Sequence, residues 1–193
     1  MARDVRILIL AAGASSRMRG RDKLLEIVDG APVLSRQVRI AQATGWPVAV
    51  ALPPAPHPRH ALIGGAEAIE VSDAAEGMGA SLAAGFAHLR AADAILVLLA
   101  DLPEIGTADL RAVIEAGDEF DGIVRGATEE GRPGHPLLVP RPAFPDFRAL
   151  SGDDGGRAAV ARHPVRLVPL PGESARRDLD TPEDWAAWRA ARA

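Results

Sequence analysis

Lys23 is the only lysine in this chain of 193 residues, in which 22 residues are lysine or arginine. It closes a loop that leaves a short apolar segment through Ala-Ala-Gly (11–13) and carries Arg17, Arg19 and Arg21. A compact ammonium differs in shape from a forked guanidinium, so a single retained lysine indicates a position that needs it. A strand, a turn of small residues and a group of cations predict a cradle for a polyphosphate. The alternative is a surface loop with an accidental lysine.

The loop lacks the fingerprints of two common nucleotide-binding motifs. No Gly-x-x-x-x-Gly-Lys-Ser/Thr is present, which excludes a P-loop, and the Gly-x-Gly-x-x-Gly of dinucleotide-binding dehydrogenases is also missing. The small side chains of Ala12 and Gly13 would let the backbone approach a ligand closely.

Asp101 is the first candidate metal ligand. It follows a run of apolar residues and precedes Leu102-Pro103. A carboxylate just outside a buried strand is well placed to hold hydrated magnesium. An aspartate beside a proline is also typical of an ordinary turn, and the residues alone favour neither interpretation.

Asp180 is the second candidate. Thr181 and Pro182 predict the N-cap and first position of a helix, so Asp180 is not needed for capping and can project elsewhere. The alternative is a solvated carboxylate attracted by the positive end of that helix. Asp178 is a competing candidate for the same role.

Three further stretches contain possible binding residues. Gly77-Met78-Gly79 leads into a predicted helix, and amides near Gly79 and Ser81 suit an anion or a ribose hydroxyl, although a glycine turn capped by Ser81 explains them equally well. Arg157 is predicted at a helix start, which favours a phosphate contact. His135 lies between Gly134 and Pro136, where a turn histidine is more usual than a catalytic base.

Composition limits the function classes. A net charge of −4 argues against nucleic acid as the main partner, and the absence of cysteine excludes disulfides, zinc thiolates and cysteine nucleophiles. The charged N-terminus and the short apolar runs predict no signal peptide and no membrane association. We expect one domain over residues 1–193, located in the cytoplasm.

Apolar segments alternate with segments of helical period. This predicts an α/β fold with a single doubly wound, mostly parallel sheet and helices on both faces. Trp185 and Trp188 are expected to pack in the core. The predicted strands are Val5–Leu10, Val48–Leu52, Ala68–Val71, Ala94–Leu99, Gly122–Arg125, Leu137–Val139 and Arg166–Leu170, and the predicted helices Val33–Thr44, Ala80–Ala91, Ala108–Ala116, Arg157–Arg162 and Glu183–Ala191.

Six ordered blocks resemble the MobA-like nucleotidyltransferases, in particular molybdenum cofactor cytidylyltransferase. They are Leu-Ala-Ala-Gly-x-Ser-Ser-Arg-Met with its lysine (10–23), Glu-Gly-Met-Gly-Ala-Ser-Leu (76–82), Leu-Ala-Asp-Leu-Pro (99–103), Gly-His-Pro (134–136), Gly-Asp-Asp-Gly-Gly-Arg (152–157) and Asp-Leu-Asp-Thr-Pro-Glu-Asp (178–184). Arg19, which stands between Met18 and Gly20, departs from the family pattern.

The resemblance implies a Rossmann-like fold and assigns roles to residues. It implies that the backbone of residues 10–13 holds the base and ribose, that Asp73 contacts the nucleotide, and that Asp101 and Asp180 hold Mg²⁺. Arg17 and Lys23 would bind the triphosphate and, with Asp101, form the catalytic set. The full implied nucleotide-binding set is Leu10, Ala11, Ala12, Gly13, Arg17, Lys23, Asp73, Gly79 and Ser81, with His135 and Arg157 at the acceptor.

The implied reaction is transfer of CMP from CTP to molybdenum-loaded molybdopterin, with release of pyrophosphate. A molybdenum hydroxylase apoprotein would use the product. Two alternatives remain open: the same chemistry with GTP or with a sugar or polyol phosphate, and a nucleotide-binding module without turnover.

Overall fold

A mostly parallel sheet of seven strands forms the centre of the protein. The computed structural model describes residues 3–74, 77–118, 120–152 and 155–192. The strands lie in the spatial order β5 (Glu67–Glu70), β4 (Val48–Leu52), β1 (Val5–Leu10), β6 (Ala94–Leu99), β8 (Pro133–Pro140), β7 (Ile123–Ala127) and β9 (Val165–Pro169). Only β8 runs antiparallel to its neighbours in this described sheet. A small hairpin joins β2 (Ile27–Val28) and β3 (Ala31–Pro32).

Helices cover both faces of the sheet, which confirms the doubly wound α/β prediction. Alternate side chains of β1 point to opposite faces, so Ile7 and Ile9 belong to one buried apolar cluster and Leu8 and Leu10 to another. The first cluster packs against α1 (Val33–Gln42), α3 (Thr107–Glu115) and α6 (Pro182–Ala190), and the second against α2 (Met78–His88), α4 (Phe144–Arg148) and α5 (Arg157–Val160).

The predicted bounds are right for β1, β4 and β6 and shifted elsewhere. The hairpin β2–β3 and the five-residue α4 were not predicted, and α5 ends at Val160 rather than Arg162. Strand β8 begins at Pro133, four residues before the predicted start, because its prolines argue against a strand in a sequence reading. None of the helices in the described part of the chain is both long and apolar enough to cross a membrane.

The carboxyl ends of β1 and β6 meet at one edge of the sheet, because the two strands are parallel neighbours. The segment that precedes α6 is pinned to the same edge. The Leu179 N–H donates to Asp101 O at 3.3 Å, and the His135 N–H donates to Ala175 O at 2.7 Å. A Cβ atom on Gly134 would lie 2.1 Å from Ala175 O, so this close approach requires glycine.

Candidate active site

A cavity of about 440 Å³ opens at this edge of the sheet. It is lined by the loop that follows β1, the start of α2, the end of β6 and the segment before α6. Nine of the residues predicted to bind nucleotide or metal line it: Leu10, Ala11, Ala12, Gly13, Arg17, Lys23, Ser81, Asp101 and Asp180.

An ammonium lies between the two predicted metal-binding carboxylates. Lys23 Nζ donates to Asp101 Oδ2 and, at 2.6 Å, to Asp180 Oδ1. Arg17 reaches the other oxygen of Asp180 at 2.7 Å. Burial by itself would lower the pKa of Lys23, but the Asp101 carboxylate and then Asp180 outweigh it and raise that pKa. Lys23 is therefore a charged group held by two carboxylates.

The donor set at this point suits a hard divalent cation. Asp101 Oδ1 is buried and has no hydrogen-bond partner in the described part of the chain, so one carboxylate oxygen is available. Magnesium and similar ions commonly take one or two protein carboxylates and complete their shell with water and substrate phosphate. Three metal-binding side chains do not come together among the described residues. Asp101 and Asp180 therefore fit a metal that arrives with a nucleotide.

The Asp180 side chain does not cap α6, as the sequence predicts. The Thr181 side chain accepts the Asp184 N–H at 3.1 Å, while the Asp184 carboxylate accepts the Thr181 N–H at 2.9 Å. This reciprocal pair completes the helix start, with Pro182 at the first helical position. The Asp180 side chain is left to face Lys23 and Arg17.

Arg59 was not predicted as a site residue, yet it holds the loop that follows β1. It lies in a 3-10 helix (Pro58–Leu62) behind the loop and is 2% exposed. Its guanidinium donates to Ala11 O at 2.7 Å, to Gly13 O at 2.8 Å and to Ser15 Oγ at 3.1 Å. It also donates to both carboxylate oxygens of Asp22 at 2.7 Å. The proline-rich stretch before it reads as a surface loop, which hid this role.

Two residues of the predicted nucleotide-binding set do not line the cavity. The Gly79 N–H donates to Gly152 O at 2.9 Å, so the expected free amide is already used. A Cβ atom on Gly79 would lie 2.7 Å from Gly152 O, which gives this glycine a packing role. Asp73 is exposed and does not line the cavity. Glu76, Asp153 and Asp154, which belong to two of the quoted blocks, lie outside the described residues.

The two predicted acceptor residues have different environments. The Nδ1 atom of His135 is buried, and burial, followed by the charge of Arg125, lowers the pKa of His135 to about 3. His135 is therefore neutral at ordinary pH and cannot hold an anion by charge. Arg157 is exposed at the start of α5.

Arg157 belongs to a group of three arginines beside the start of β8. Arg125 donates to Gly134 O at 2.7 Å and Arg176 to Pro133 O at 3.3 Å. Burial, then the neighbouring charges of Arg176 and Arg157, lower the pKa of Arg125. None of the three forms an ion pair with an acidic side chain in the described part of the chain. Positive charge without an acidic partner among the described residues is typical of an anion site.

Comparisons with known proteins agree with this geometry. Residues 7–167 match the family model of the MobA-like NTP transferase domain. A phosphoenolpyruvate guanylyltransferase from Streptosporangium roseum is 31% identical over 154 residues, which is 77% of this chain, and the match spans 63% of that relative's length.

Solved structures resemble this protein over nearly the whole chain. The crystal structure of Rv0371c from Mycobacterium tuberculosis H37Rv has a TM-score of 0.85 and 30% identity, over 97% of each chain. The same protein in complex with manganese has a TM-score of 0.79 and 27% identity, over 95% of this chain and 97% of that one.

Proposed function

The chain belongs to the MobA-like NTP transferase family, and on that premise we propose that it transfers CMP from CTP to the phosphate of a molybdopterin-type acceptor. The observation that carries the proposal is the meeting of Lys23, Arg17, Asp101 and Asp180 at one cavity beside the loop after β1. A nucleotide-binding module without turnover would not need this pairing of phosphate-binding cations with two carboxylates, of which Asp101 keeps one oxygen without a hydrogen-bond partner among the described residues.

The reaction needs positioning and charge neutralisation rather than a covalent intermediate. An acceptor phosphate oxygen attacks the α-phosphorus of the NTP, and the bond from that phosphorus to the bridging oxygen breaks, so that pyrophosphate leaves. Lys23 and Arg17 neutralise the charge that develops on the leaving pyrophosphate. A divalent cation held by Asp101 and Asp180 would supply Lewis-acid stabilisation of the phosphates when bound.

CTP is the proposed donor because of Ala12. In the related guanylyltransferases the sequence resembles Leu-Ala-Gly-Gly where this chain has Leu-Ala-Ala-Gly. A methyl group at this place in the wall leaves less room for a purine. Ala12 lines the cavity and is 5% exposed, so it has little freedom to move aside. GTP is the second candidate donor, since the relative from Streptosporangium roseum, which is 31% identical over 154 residues, is a phosphoenolpyruvate guanylyltransferase.

The acceptor is proposed to be anionic, because positive charge gathers beside the start of β8. The arginines 125, 157 and 176 offer positive charge there without acidic partners among the described residues. A molybdopterin phosphate suits this charge, and the product would then pass to a molybdenum hydroxylase apoprotein. A smaller phosphorylated acid suits the same charge. The identity of the acceptor is therefore the main point to test.

The test incubates the protein and Mg²⁺ with each NTP in turn, together with either molybdenum-loaded molybdopterin or phosphoenolpyruvate. The products are identified by mass, and pyrophosphate release is measured in parallel. A cytosine dinucleotide of molybdopterin is the expected product. A guanylated phosphoenolpyruvate would overturn the substrate assignment, and no pyrophosphate with any pair would overturn the transferase proposal for these acceptors.

A further inference from the structure

Arg59 uses every hydrogen of its guanidinium on the loop that follows β1. A guanidinium carries five N–H donors, and Arg59 donates five hydrogen bonds, to Ala11, Gly13, Ser15 and Asp22. The side chain is 2% exposed, so these bonds form out of contact with solvent. No donor is left over, which means that Arg59 does not itself bind substrate.

The bonds to Ala11 O and Gly13 O fix the direction of two peptide groups. Both peptides are trans, because the cis bonds in the described chain are at Pro56 and Pro136. In a trans peptide the C=O and the following N–H point in opposite directions. The N–H groups of Ala12 and Ala14 therefore point away from Arg59. Neither N–H donates to another group in the described part of the chain, and both residues line the cavity.

The same guanidinium ties the other end of the loop. Asp22 Oδ1 accepts the Leu24 N–H at 2.9 Å and starts the short 3-10 helix that carries Lys23. Ser15 Oγ accepts the Lys23 N–H at 3.3 Å. Burial alone would raise the pKa of Asp22, but its hydrogen bonds with Arg59 and Leu24 outweigh it and lower that pKa. Arg59 thus connects the small-residue turn to the catalytic lysine.

We propose that Arg59 is the positioning residue of the nucleotide loop: it presents the N–H groups of Ala12 and Ala14 to the bound NTP and sets the backbone of Lys23. The inference rests on the proposed nucleotide binding at this cavity. Two oriented, otherwise unused amides are strong donors to an oxygen-rich ligand when they are fixed in advance. Lysine cannot replace this arginine, because an ammonium has three donors on one atom and cannot span five acceptors.

The experiment measures NTP binding directly by calorimetry with Mg²⁺, and follows the amide resonances of Ala12 and Ala14 by NMR during the titration. The variants are Arg59→Lys and Arg59→Ala, the latter with and without added guanidinium at non-denaturing concentration. Arg141→Lys is the matched control, because Arg141 also donates to a backbone carbonyl (Ala92 O, 2.7 Å), at the edge of the sheet away from the cavity.

Arg59→Lys is expected to weaken NTP binding at least tenfold and to abolish the shifts of both amides, while Arg141→Lys binds as the unaltered protein does. Guanidinium is expected to restore binding to Arg59→Ala, whereas sodium chloride at the same concentration does not. A folded Arg59→Lys protein with unchanged affinity and unchanged amide shifts would overturn the inference. If Arg59→Lys does not fold, Asp22→Asn decides, since it loosens the same guanidinium: unchanged affinity there also overturns it. Failure of the unaltered protein to bind any NTP would instead overturn the proposed function.

Discussion

Lys23 Nζ lies 2.6 Å from Asp180 Oδ1, although 157 residues separate the two in the chain. The same ammonium donates to Asp101, so one cation joins the loop after β1, the end of β6 and the start of α6. All three side chains are less than one-fifth exposed. A triphosphate entering the cavity would therefore meet an ammonium that is already oriented and charged.

Lys23→Arg is expected to lower kcat/KM at least tenfold, a loss of about 1.4 kcal/mol, although the charge is kept. One nitrogen now contacts two carboxylates, and a planar fork would need a different approach to both. Steady-state kinetics with CTP and the acceptor measure the loss. Arg19→Lys is the control, because Arg19 is exposed in the same loop and pairs with Glu183. Full activity of Lys23→Arg would show that the lone lysine is accidental.

Asp101→Asn and Asp180→Asn are each expected to lower turnover and to raise the Mg²⁺ concentration needed for half-maximal activity. The double change should cost less than the sum of the two, because the carboxylates serve one site. Magnesium and manganese titrations of activity measure both effects. Thermal unfolding should show folded proteins, since the substitutions keep the side-chain shape.

Two neighbours make this test specific. Glu183→Gln removes an exposed carboxylate from the first turn of the same helix and should leave the magnesium response unchanged. Asp178→Asn tests the competing ligand: the pKa of Asp178 is raised by burial and then by Asp180 and Asp101, which places it near the pair. A magnesium response that depends on Asp178 and not on Asp180 would contradict the assignment.

The sequence predicts those site residues that stand at the ends of apolar strands. Asp101 could be found because β6 is a nearly continuous apolar run, and ligands of open α/β sheets gather at the carboxyl ends of the strands. The loop after β1 could be found in the same way, and Lys23 stands out within it as the only lysine of the chain. The Thr181 cap could be found because its signature is local, and this released Asp180 for another role.

Arg59 could not be found in the same way. Two of its acceptors are backbone carbonyls of Ala11 and Gly13, which any residue types would supply. Its own surroundings, with Pro58 before it and His60 after it, are typical of a surface loop. The sequence shows an acidic residue, Asp22, directly before Lys23, but only the fold brings Asp22 into contact with Arg59. A contact between a side chain and a distant part of the backbone leaves no spacing pattern that could be recognised in the sequence.

His135→Gln is expected to make the protein less sensitive to acid. The pKa of His135 is about 3 in the folded protein, against about 6.5 in an unfolded chain. Between these values the unfolded chain binds a proton that the folded one does not, so the free energy of unfolding falls as the pH falls from 6.5 toward 3. The slope from this histidine is at most about 1.4 kcal/mol per pH unit.

Urea unfolding at several pH values between 4.5 and 7 measures this slope. The His135→Gln protein should lose less stability on acidification than the unaltered protein. His88→Gln is the matched replacement, because His88 lies at the exposed end of α2, where it pairs with Glu67. Equal slopes for the unaltered and His135→Gln proteins would show that protonation of His135 does not control the loss of stability at low pH.

Ala12→Gly is expected to reduce the preference for CTP over GTP. The methyl group of Ala12 belongs to the apolar cluster that contains Leu10 and Val71, so it is held in the cavity wall and cannot yield to a larger base. A steric difference of this size commonly contributes about 1–3 kcal/mol of discrimination. Competition between the two nucleotides in one turnover assay measures the preference before and after the change. Ala14→Gly is the control, because Ala14 is exposed in the same loop and glycine keeps its N–H. Preference for GTP in the unaltered protein would reject CTP as donor, and an unchanged preference in Ala12→Gly would remove Ala12 as its cause.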